Sequence, residues 1–96
     1  MFFVSLRYVK PLFVIDALIP EHAAYLREQY AAGVFFLSGR KIPRDGGAIL
    51  CRGVSREELA DILARDPFAR EGAAEYDIVE FAPSMAGDGL EGLIEA

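Results

Sequence analysis

The chain has little of several residue types, and each scarcity narrows what it can be. Its 96 residues include one cysteine, Cys51, so no disulfide can form within the chain. Its ten basic residues are scattered and its formal net charge is −5, whereas a nucleic-acid-binding surface needs clustered cations. No apolar run approaches the roughly 18 residues of a membrane span, and no signal-peptide pattern is present. We therefore expect no nucleic-acid partner, no membrane association and a cytoplasmic location.

Sequence patterns that hold metals and cofactors are also lacking. One histidine and one cysteine cannot form a ligand-rich metal site, and no acidic cluster has suitable spacing. The sequence contains neither a P-loop nor a dinucleotide-binding fingerprint. We expect no metal and no cofactor, and we interpret Cys51, which falls within a predicted strand, as an inert core residue.

Apolar residues are abundant, at 53% of the chain. This length supports one hydrophobic core, so we predict a single domain over residues 1–83. Residues 84–96 are rich in glycine and predict either a frayed tail or a short arm. Leu90, Leu93 and Ile94 favour an arm that docks on a neighbouring chain.

The hydrophobic patterns predict an α+β fold with element order βαββαβ. Strands are expected over residues 1–9, 34–39, 47–52 and 75–82, and helices over about 20–32 and 56–66. This order is typical of a ferredoxin-like fold, in which an antiparallel four-stranded sheet carries two helices on one face. The other face would be an exposed apolar patch, so we expect two copies to pack sheet against sheet as a homodimer.

The first predicted helix follows an ordered connection over residues 10–18. Pro20 and Glu21 suit the first turn of a helix, and Gly33 supplies its stop. Its apolar stripe is predicted to consist of Ile19, Ala23, Leu26 and Tyr30, spaced by three and four. His22 falls in this stripe and should face the sheet.

The second predicted helix opens with a capping box. Ser55 is followed three residues later by Glu58, and the buried stripe is expected to be Leu59, Ile62 and Leu63. Asp66 continues that stripe, and Pro67 ends the helix there.

His22 and Asp66 are therefore both aimed inward, where ordinary amphipathic design would not place them. An inward histidine and carboxylate suggest a proton-transfer pair, in which the carboxylate fixes the imidazole tautomer. The structural alternatives are a core histidine bonded to a backbone carbonyl and a turn-forming aspartate ahead of proline. An acidic group at a helix C-terminus is electrostatically unfavourable, which favours a functional role for Asp66.

Polar residues supply further candidates. Ser38 could donate a hydrogen bond to a substrate oxygen or merely hold the turn at Gly39. Arg7 and Glu80 fall on neighbouring strands, where they form either a cross-strand ion pair or a carboxylate-binding arginine in a cleft. Arg40, together with Lys41 and Arg44, could steer an acidic substrate or be simply solvated.

Two aromatic residues also have both a functional and a structural interpretation. Tyr25 and Phe68 could wall a pocket for an aromatic ring, or they could be packing residues.

Five segments, in this order and spacing, together resemble the YciI-like (YCII-related) family: His22-Ala23-Ala24-Tyr25-Leu26, Ser38-Gly39, Gly46-Gly47, Asp66-Pro67-Phe68, and Tyr76 to Pro83. The resemblance implies a dimeric ferredoxin-like α/β barrel and a His–Asp dyad at His22 and Asp66. It also implies isomerase, lyase (dehydrochlorinase) or hydrolase chemistry on a small cyclic or phenolic compound. Members often have proline after Ser-Gly, whereas this chain has Arg40, which would add a positive group at the pocket rim.

Two hypotheses of function follow. In the first, the chain is a cofactor-free enzyme with His22 as general base, Asp66 as its orienting partner, and Ser38 or Arg7 on a substrate oxygen. In the second, it is a non-catalytic dimer that binds a small metabolite or regulates a partner, and the same residues only shape the pocket. An accessory module of a partner enzyme is a lesser alternative.

Overall fold

The computed structural model describes residues 1–95 of the chain. In this range the strands are β1 Phe2–Tyr8, β2 Phe35–Arg40, β3 Gly46–Cys51 and β4 Ala74–Glu80, and the helices are α1 Leu12–Ala31, α2 Arg56–Ala64 and α3 Pro67–Arg70. The strands form one antiparallel sheet in the order β2-β3-β1-β4. The predicted ferredoxin-like α+β fold is confirmed, and each predicted strand boundary lies within two residues of the observed one.

The central strand β1 shows how the sheet separates its two faces. Successive side chains of a strand point to opposite sides, and Val4 and Leu6 are almost fully buried in the core beneath the helices. Tyr8 continues this inward set and packs against the core. Phe3 and Arg7 are exposed on the other face.

Helix α1 begins well before the predicted start at Pro20. The expected connection over residues 10–18 is wrong, because the helix runs from Leu12 to Ala31 with Pro20 inside it. An interior proline removes one backbone hydrogen bond and costs about 3 kcal/mol. Ile15 is fully buried in the core, and its burial offsets part of this cost. His22 therefore lies in the middle of α1 and not in its first turn.

The inward face of α1 is also rotated from the predicted stripe. Its buried residues are Ile15, Tyr25 and Gln29, whereas Ile19 and Tyr30 are exposed by more than a third. His22 lies three residues before Tyr25 and so belongs to the observed face, as expected for side chains three and four apart on a helix.

Helix α2 has the predicted capping box. The Glu58 backbone N–H donates to Ser55 Oγ at 3.1 Å and the Ser55 N–H donates to the Glu58 carboxylate at 3.0 Å. The hydrogen bond that the Ser55 backbone N–H donates to the Glu58 carboxylate is the main cause that lowers the pKa of Glu58. The predicted buried residues Leu59, Ile62 and Leu63 are all buried.

The end of α2 differs from the prediction. The helix ends at Ala64, and Asp66 is the N-cap of the separate short helix α3, with Pro67 at its first position. Asp66 therefore lies directly after the C-cap Arg65 of α2 and is at the same time the first residue of the N-terminus of α3. Its carboxylate accepts a hydrogen bond from the Phe68 backbone N–H, which is a favourable N-cap arrangement.

The second face of the sheet carries exposed apolar side chains. Phe3, Leu37 and Val79 are 37%, 60% and 52% exposed. We call this surface, together with Leu50 and Ala48 on β3, the open face.

The segment after β4 folds back on its own chain. The Glu95 carboxylate lies 2.8 Å from the ammonium group of Met1, and the Glu95 N–H donates to the Pro83 carbonyl. Leu93 lies in a short 3₁₀ turn, Glu91–Leu93, and is half-buried. Ala96, the last residue of the predicted tail, lies outside the described residues. Among the helices of residues 1–95, none is both long enough and apolar enough to cross a membrane.

Candidate active site

His22 and Asp66 meet inside the fold. Nδ1 of His22 lies 2.7 Å from Oδ1 of Asp66. The Asp66 side chain is completely buried and that of His22 is 14% exposed. Because a carboxylate oxygen accepts, Nδ1 carries the shared proton. This bond fixes the imidazole tautomer and leaves Nε2 as the nitrogen that can exchange a proton with a ligand.

Asp66 is held by two further donors. The Phe68 backbone N–H bonds Oδ1 at 3.1 Å, and the Tyr76 hydroxyl bonds Oδ2 at 2.6 Å. Burial, and next the negative charge of Asp66, raise the pKa of Tyr76 well above its ordinary value. Tyr76 therefore stays protonated and remains a donor. A buried carboxylate with three donors is fixed in position and is stabilised without contact with water.

Phe68 fixes the plane of the imidazole. Its ring stacks on His22 with centroids 4.0 Å apart and planes 15° from parallel. Tyr8 in turn packs edge-on against Phe68, and the centroids of these two rings lie 5.8 Å apart. The ring of His22 is thus held both by a hydrogen bond in its plane and by an aromatic contact on its face.

His22 lies in the wall of a cavity of about 200 Å³ between the sheet and α1. The other lining residues are mostly apolar, with three polar exceptions in Tyr8, Ser38 and Arg40; the apolar ones and glycines are Leu6, Ile19, Leu26, Gly39, Gly47, Ala48, Ile49 and Phe68. A largely apolar cavity with a few convergent polar groups is the usual form of a small-molecule site.

Several residues singled out from the sequence do reach this cavity. Phe68, Ser38 and Arg40 all line it. The Ser38 hydroxyl is also within 2.5 Å of the hydroxyl of Tyr30, so Ser38 has a hydrogen-bonding partner on α1 as well as a place in the cavity wall.

Other singled-out residues lie elsewhere. Arg7 points to the open face and pairs with Glu75, its neighbour on β4, and not with Glu80. Tyr25 is buried with its hydroxyl donating to the Ile62 carbonyl at 2.8 Å. The structure therefore does not bring Arg7 or Tyr25 to the cavity that contains His22.

Two tyrosines near His22 and Asp66 were missed by the sequence analysis. Tyr76 lies opposite Leu6 in the sheet register, so its inward direction follows from strand alternation once the register is known. Tyr8 follows Val4 and Leu6 in the inward set of β1, and this alternation is visible in the sequence. Neither residue was recognised because aromatic residues at inward strand positions are usually core residues.

The described residues contain no group of three histidine, cysteine or acidic side chains that could hold a metal ion. Cys51 is fully buried, and burial raises the pKa of its thiol to about 12.

The fold and the site together define a class: a ferredoxin-like α+β domain with a buried His–Asp pair in the wall of an apolar cavity. The family model of the YCII-related domain matches residues 1–82, and the chain belongs to this family. No curated protein sequence matches the chain.

A solved structure with the same fold is the 5-chloro-2-hydroxyhydroquinone dehydrochlorinase of Burkholderia phenoliruptrix AC1100, in complex with 2,5-dihydroxybenzoquinone. It is similar to this chain with a TM-score of 0.72 at 20% sequence identity, and the match covers 86% of this chain and 95% of that one.

Proposed function

We propose that the chain is a small enzyme that moves protons on a small cyclic or phenolic compound, with His22 as general acid and base. The observation that carries this proposal is the 2.7 Å contact between His22 Nδ1 and a fully buried carboxylate, at the wall of an apolar cavity. In this arrangement Asp66 orients the imidazole and stabilises the imidazolium that forms when Nε2 takes a proton.

The size and lining of the cavity support a single ring as substrate. An engineered apolar cavity of about 150 Å³ accommodates benzene, so a cavity of about 200 Å³ suits one substituted ring. Apolar side chains contact the ring faces, while Ser38 and Arg40 offer hydrogen bonds to its oxygen substituents.

Elimination is the reaction that this site supports best, and the activity of the structurally similar dehydrochlorinase agrees with it. With a chlorinated hydroquinone, Nε2 removes one hydroxyl proton as that oxygen becomes a carbonyl. The imidazolium then returns the proton to the ring carbon that bears chlorine. Loss of the second hydroxyl proton expels chloride and leaves a quinone, so the net change is loss of HCl with no external oxidant. Isomerisation would use the same proton removal and return at another atom with no leaving group, and hydrolysis would use the imidazole to take a proton from an attacking water molecule.

The test is turnover of a panel of chlorinated and unchlorinated hydroquinones by the full chain. Chloride release and the visible absorbance of the quinone are the measurements. We expect His22→Gln to lower kcat by about 10²–10⁴, the usual contribution of a general base. Asp66→Asn should also lower kcat, whereas Asp61→Asn, an exposed residue of α2, is the matched control for loss of one carboxylate.

Equal turnover by wild type and His22→Gln would contradict the proposal. Binding of the panel by wild type without conversion would instead favour the alternative function, a non-catalytic dimer that binds or senses a small metabolite. Calorimetric binding on the same samples separates these two outcomes.

We also propose that the chain is a homodimer that buries the open face. The exposed apolar side chains Phe3, Leu37 and Val79 form a patch of the kind that monomers rarely leave in water. Leu37→Glu should convert the dimer to a monomer in sedimentation velocity. The control is Phe13→Glu, which changes an exposed apolar side chain of α1 outside the open face and should leave the dimer intact. A monomeric wild type at micromolar concentration would refute this part.

A further inference from the structure

A second cleft lies in the helical layer, outside the cavity that contains His22. It has a volume of about 410 Å³ and separates α1 from residues 65–70, and we call it the helix cleft. None of its lining residues belongs to the lining of the His22 cavity. The helices cover the face of the sheet opposite the open face, so a dimer formed through the open face would leave the helix cleft in contact with solvent.

The helix cleft contains an amide that has no hydrogen-bond partner. Gln29 is only 7% exposed and lines the cleft. Its side chain takes part in none of the side-chain hydrogen bonds of residues 1–95. In the same residues no fully buried side-chain nitrogen or oxygen lacks a partner, so both polar atoms of the Gln29 amide reach solvent, and the cleft is where they do so. Because a buried amide normally has partners, and offers both donors and an acceptor, Gln29 is available to a ligand.

The two walls of the helix cleft carry opposite charges. One wall is α1, which contributes Glu21 and, two turns later, Glu28. The other wall contributes Arg65 and Arg70. Arg70 Nη2 lies 3.7 Å from Glu21 Oε2, and this ion pair joins the walls. Within the described part of the chain, Glu28 and Arg65 belong to no ion pair. One carboxylate and one guanidinium on opposite walls are therefore available to a ligand.

The remaining lining of the helix cleft is apolar surface. It is contributed by Ala24 and by the buried residues Tyr25 and Pro67. The Tyr25 hydroxyl already donates to the Ile62 carbonyl, so the ring is the part of Tyr25 that a ligand can contact. A cleft with apolar surface and a few polar groups is the usual form of a small-molecule site.

We propose that the helix cleft binds a free α-amino acid with an apolar side chain. In this complex Arg65 binds the carboxylate, Glu28 binds the ammonium group, and the Gln29 amide hydrogen-bonds the same two groups. The four charges of the walls sum to zero, so a ligand with a single charge would leave either Glu28 or Arg65 without a partner. A zwitterion satisfies both walls, and its side chain covers the apolar surface.

The test is an NMR titration of the isotope-labelled full chain with three related probes. L-leucine carries both charges, isopentylamine is leucine without the carboxylate, and isocaproate is leucine without the ammonium group. We expect L-leucine to bind saturably below about 10 mM. Each analogue should bind about two- to fivefold more weakly, because it loses one contact between exposed charges. The backbone signals that move should be those of residues around the helix cleft.

Variants of the two available charges test each contact separately. Arg65→Gln should weaken L-leucine by about two- to fivefold and leave isopentylamine, which has no carboxylate, unchanged. Glu28→Gln should also weaken L-leucine, and here isocaproate should be unchanged. The controls Arg27→Gln and Glu57→Gln make the same changes of charge at exposed positions of α1 and α2 outside the cleft, and they should leave all three affinities as in wild type.

Gln29→Met tests the amide, because it puts an apolar group of similar length in its place. We expect this variant to weaken L-leucine by about tenfold or more, as for loss of a hydrogen bond to a charged group. Its melting temperature should not fall, since the amide bonds nothing within residues 1–95. A lower melting temperature with unchanged affinity would mean that the amide serves the fold alone, and would refute its part in binding.

Three results would overturn the inference as a whole. The first is no saturable binding of L-leucine, and the second is equal binding of L-leucine and both analogues. The third is movement of signals around the His22 cavity in place of those around the helix cleft. The proposed function is tested separately by turnover in His22→Gln, and the two sites share no lining residue, so either proposal can fail while the other stands.

Discussion

The hydrogen bond from Tyr76 to Asp66 should carry a measurable share of the stability of the fold. Tyr76→Phe removes the hydroxyl and leaves the ring in place. Among the described residues that hydroxyl is the donor to Oδ2 of Asp66, at 2.6 Å, and Asp66 is completely buried. Loss of a hydrogen bond to a charged group costs about 1.5–3 kcal/mol. For a domain of this size each kcal/mol lowers Tm by roughly 4–8 °C, so Tm should fall by about 6–24 °C.

The matched control is Tyr30→Phe, which removes the same atom from an exposed hydrogen bond to Ser38. Such a surface change should stay within about 0.5 kcal/mol. Calorimetric or circular dichroism melts of both variants and of wild type give the comparison. If Tyr76→Phe unfolds at the same temperature as Tyr30→Phe, the assigned role of the hydroxyl in holding Asp66 is wrong.

The pH dependence offers an independent check on the same residue. The folded-state pKa of Tyr76 is raised above its ordinary value of 10.0, first by burial and then by Asp66. The stability that follows from this shift is fully present below pH 10 and is lost as pH rises above it. We therefore compare the free energy of unfolding of each protein with its own value at pH 7. Between pH 9 and 11 this free energy should fall less for Tyr76→Phe than for wild type. An identical alkaline decline would refute the argument.

Three further outcomes test local parts of the structure. Ser55→Ala should cost about 1 kcal/mol in chemical denaturation, because it removes the cap of α2. Gly46→Ala should prevent stable folding, since a Cβ there would lie 1.8 Å from the Leu6 carbonyl oxygen, whereas Gly39→Ala, with nothing within 4 Å, should be tolerated. Cys51 should resist alkylation by iodoacetamide at pH 8 until the protein is unfolded, because burial holds its pKa at about 12; rapid labelling of the folded protein would contradict its place in the core.

The strands and their order could be predicted because local signals and tertiary structure agree there. Along β1 the buried residues Val4 and Leu6 are flanked by the exposed residues Phe3 and Arg7, and this period of two is both a local pattern and the pattern of the core. The capping box at Ser55 is local as well, since both of its hydrogen bonds join residues three apart.

The start of α1 could not be predicted in this way. Pro20 is usual at the first position of a helix, and only the burial of Ile15 against the sheet shows that the helix continues before it. For a similar reason, only some of the residues that line the cavity could be predicted from the sequence. Arg7 and Tyr8 are adjacent in sequence, and the register that sends Tyr8 inward necessarily sends Arg7 to the open face.

Asp66 shows why the site is both predictable and hard to dissect. Its carboxylate caps α3, accepts from Tyr76 and orients His22, so one group serves the fold and the proposed chemistry. Asp66→Asn replaces one acceptor oxygen with an NH₂ donor, so at least one buried donor loses its acceptor and helix α3, which carries Phe68, is destabilised. Loss of activity in Asp66→Asn is then expected under either a structural or a catalytic role. His22 donates only one of the three hydrogen bonds and lies partly open to the cavity, so His22→Gln is the substitution whose effect on kcat separates chemistry from folding.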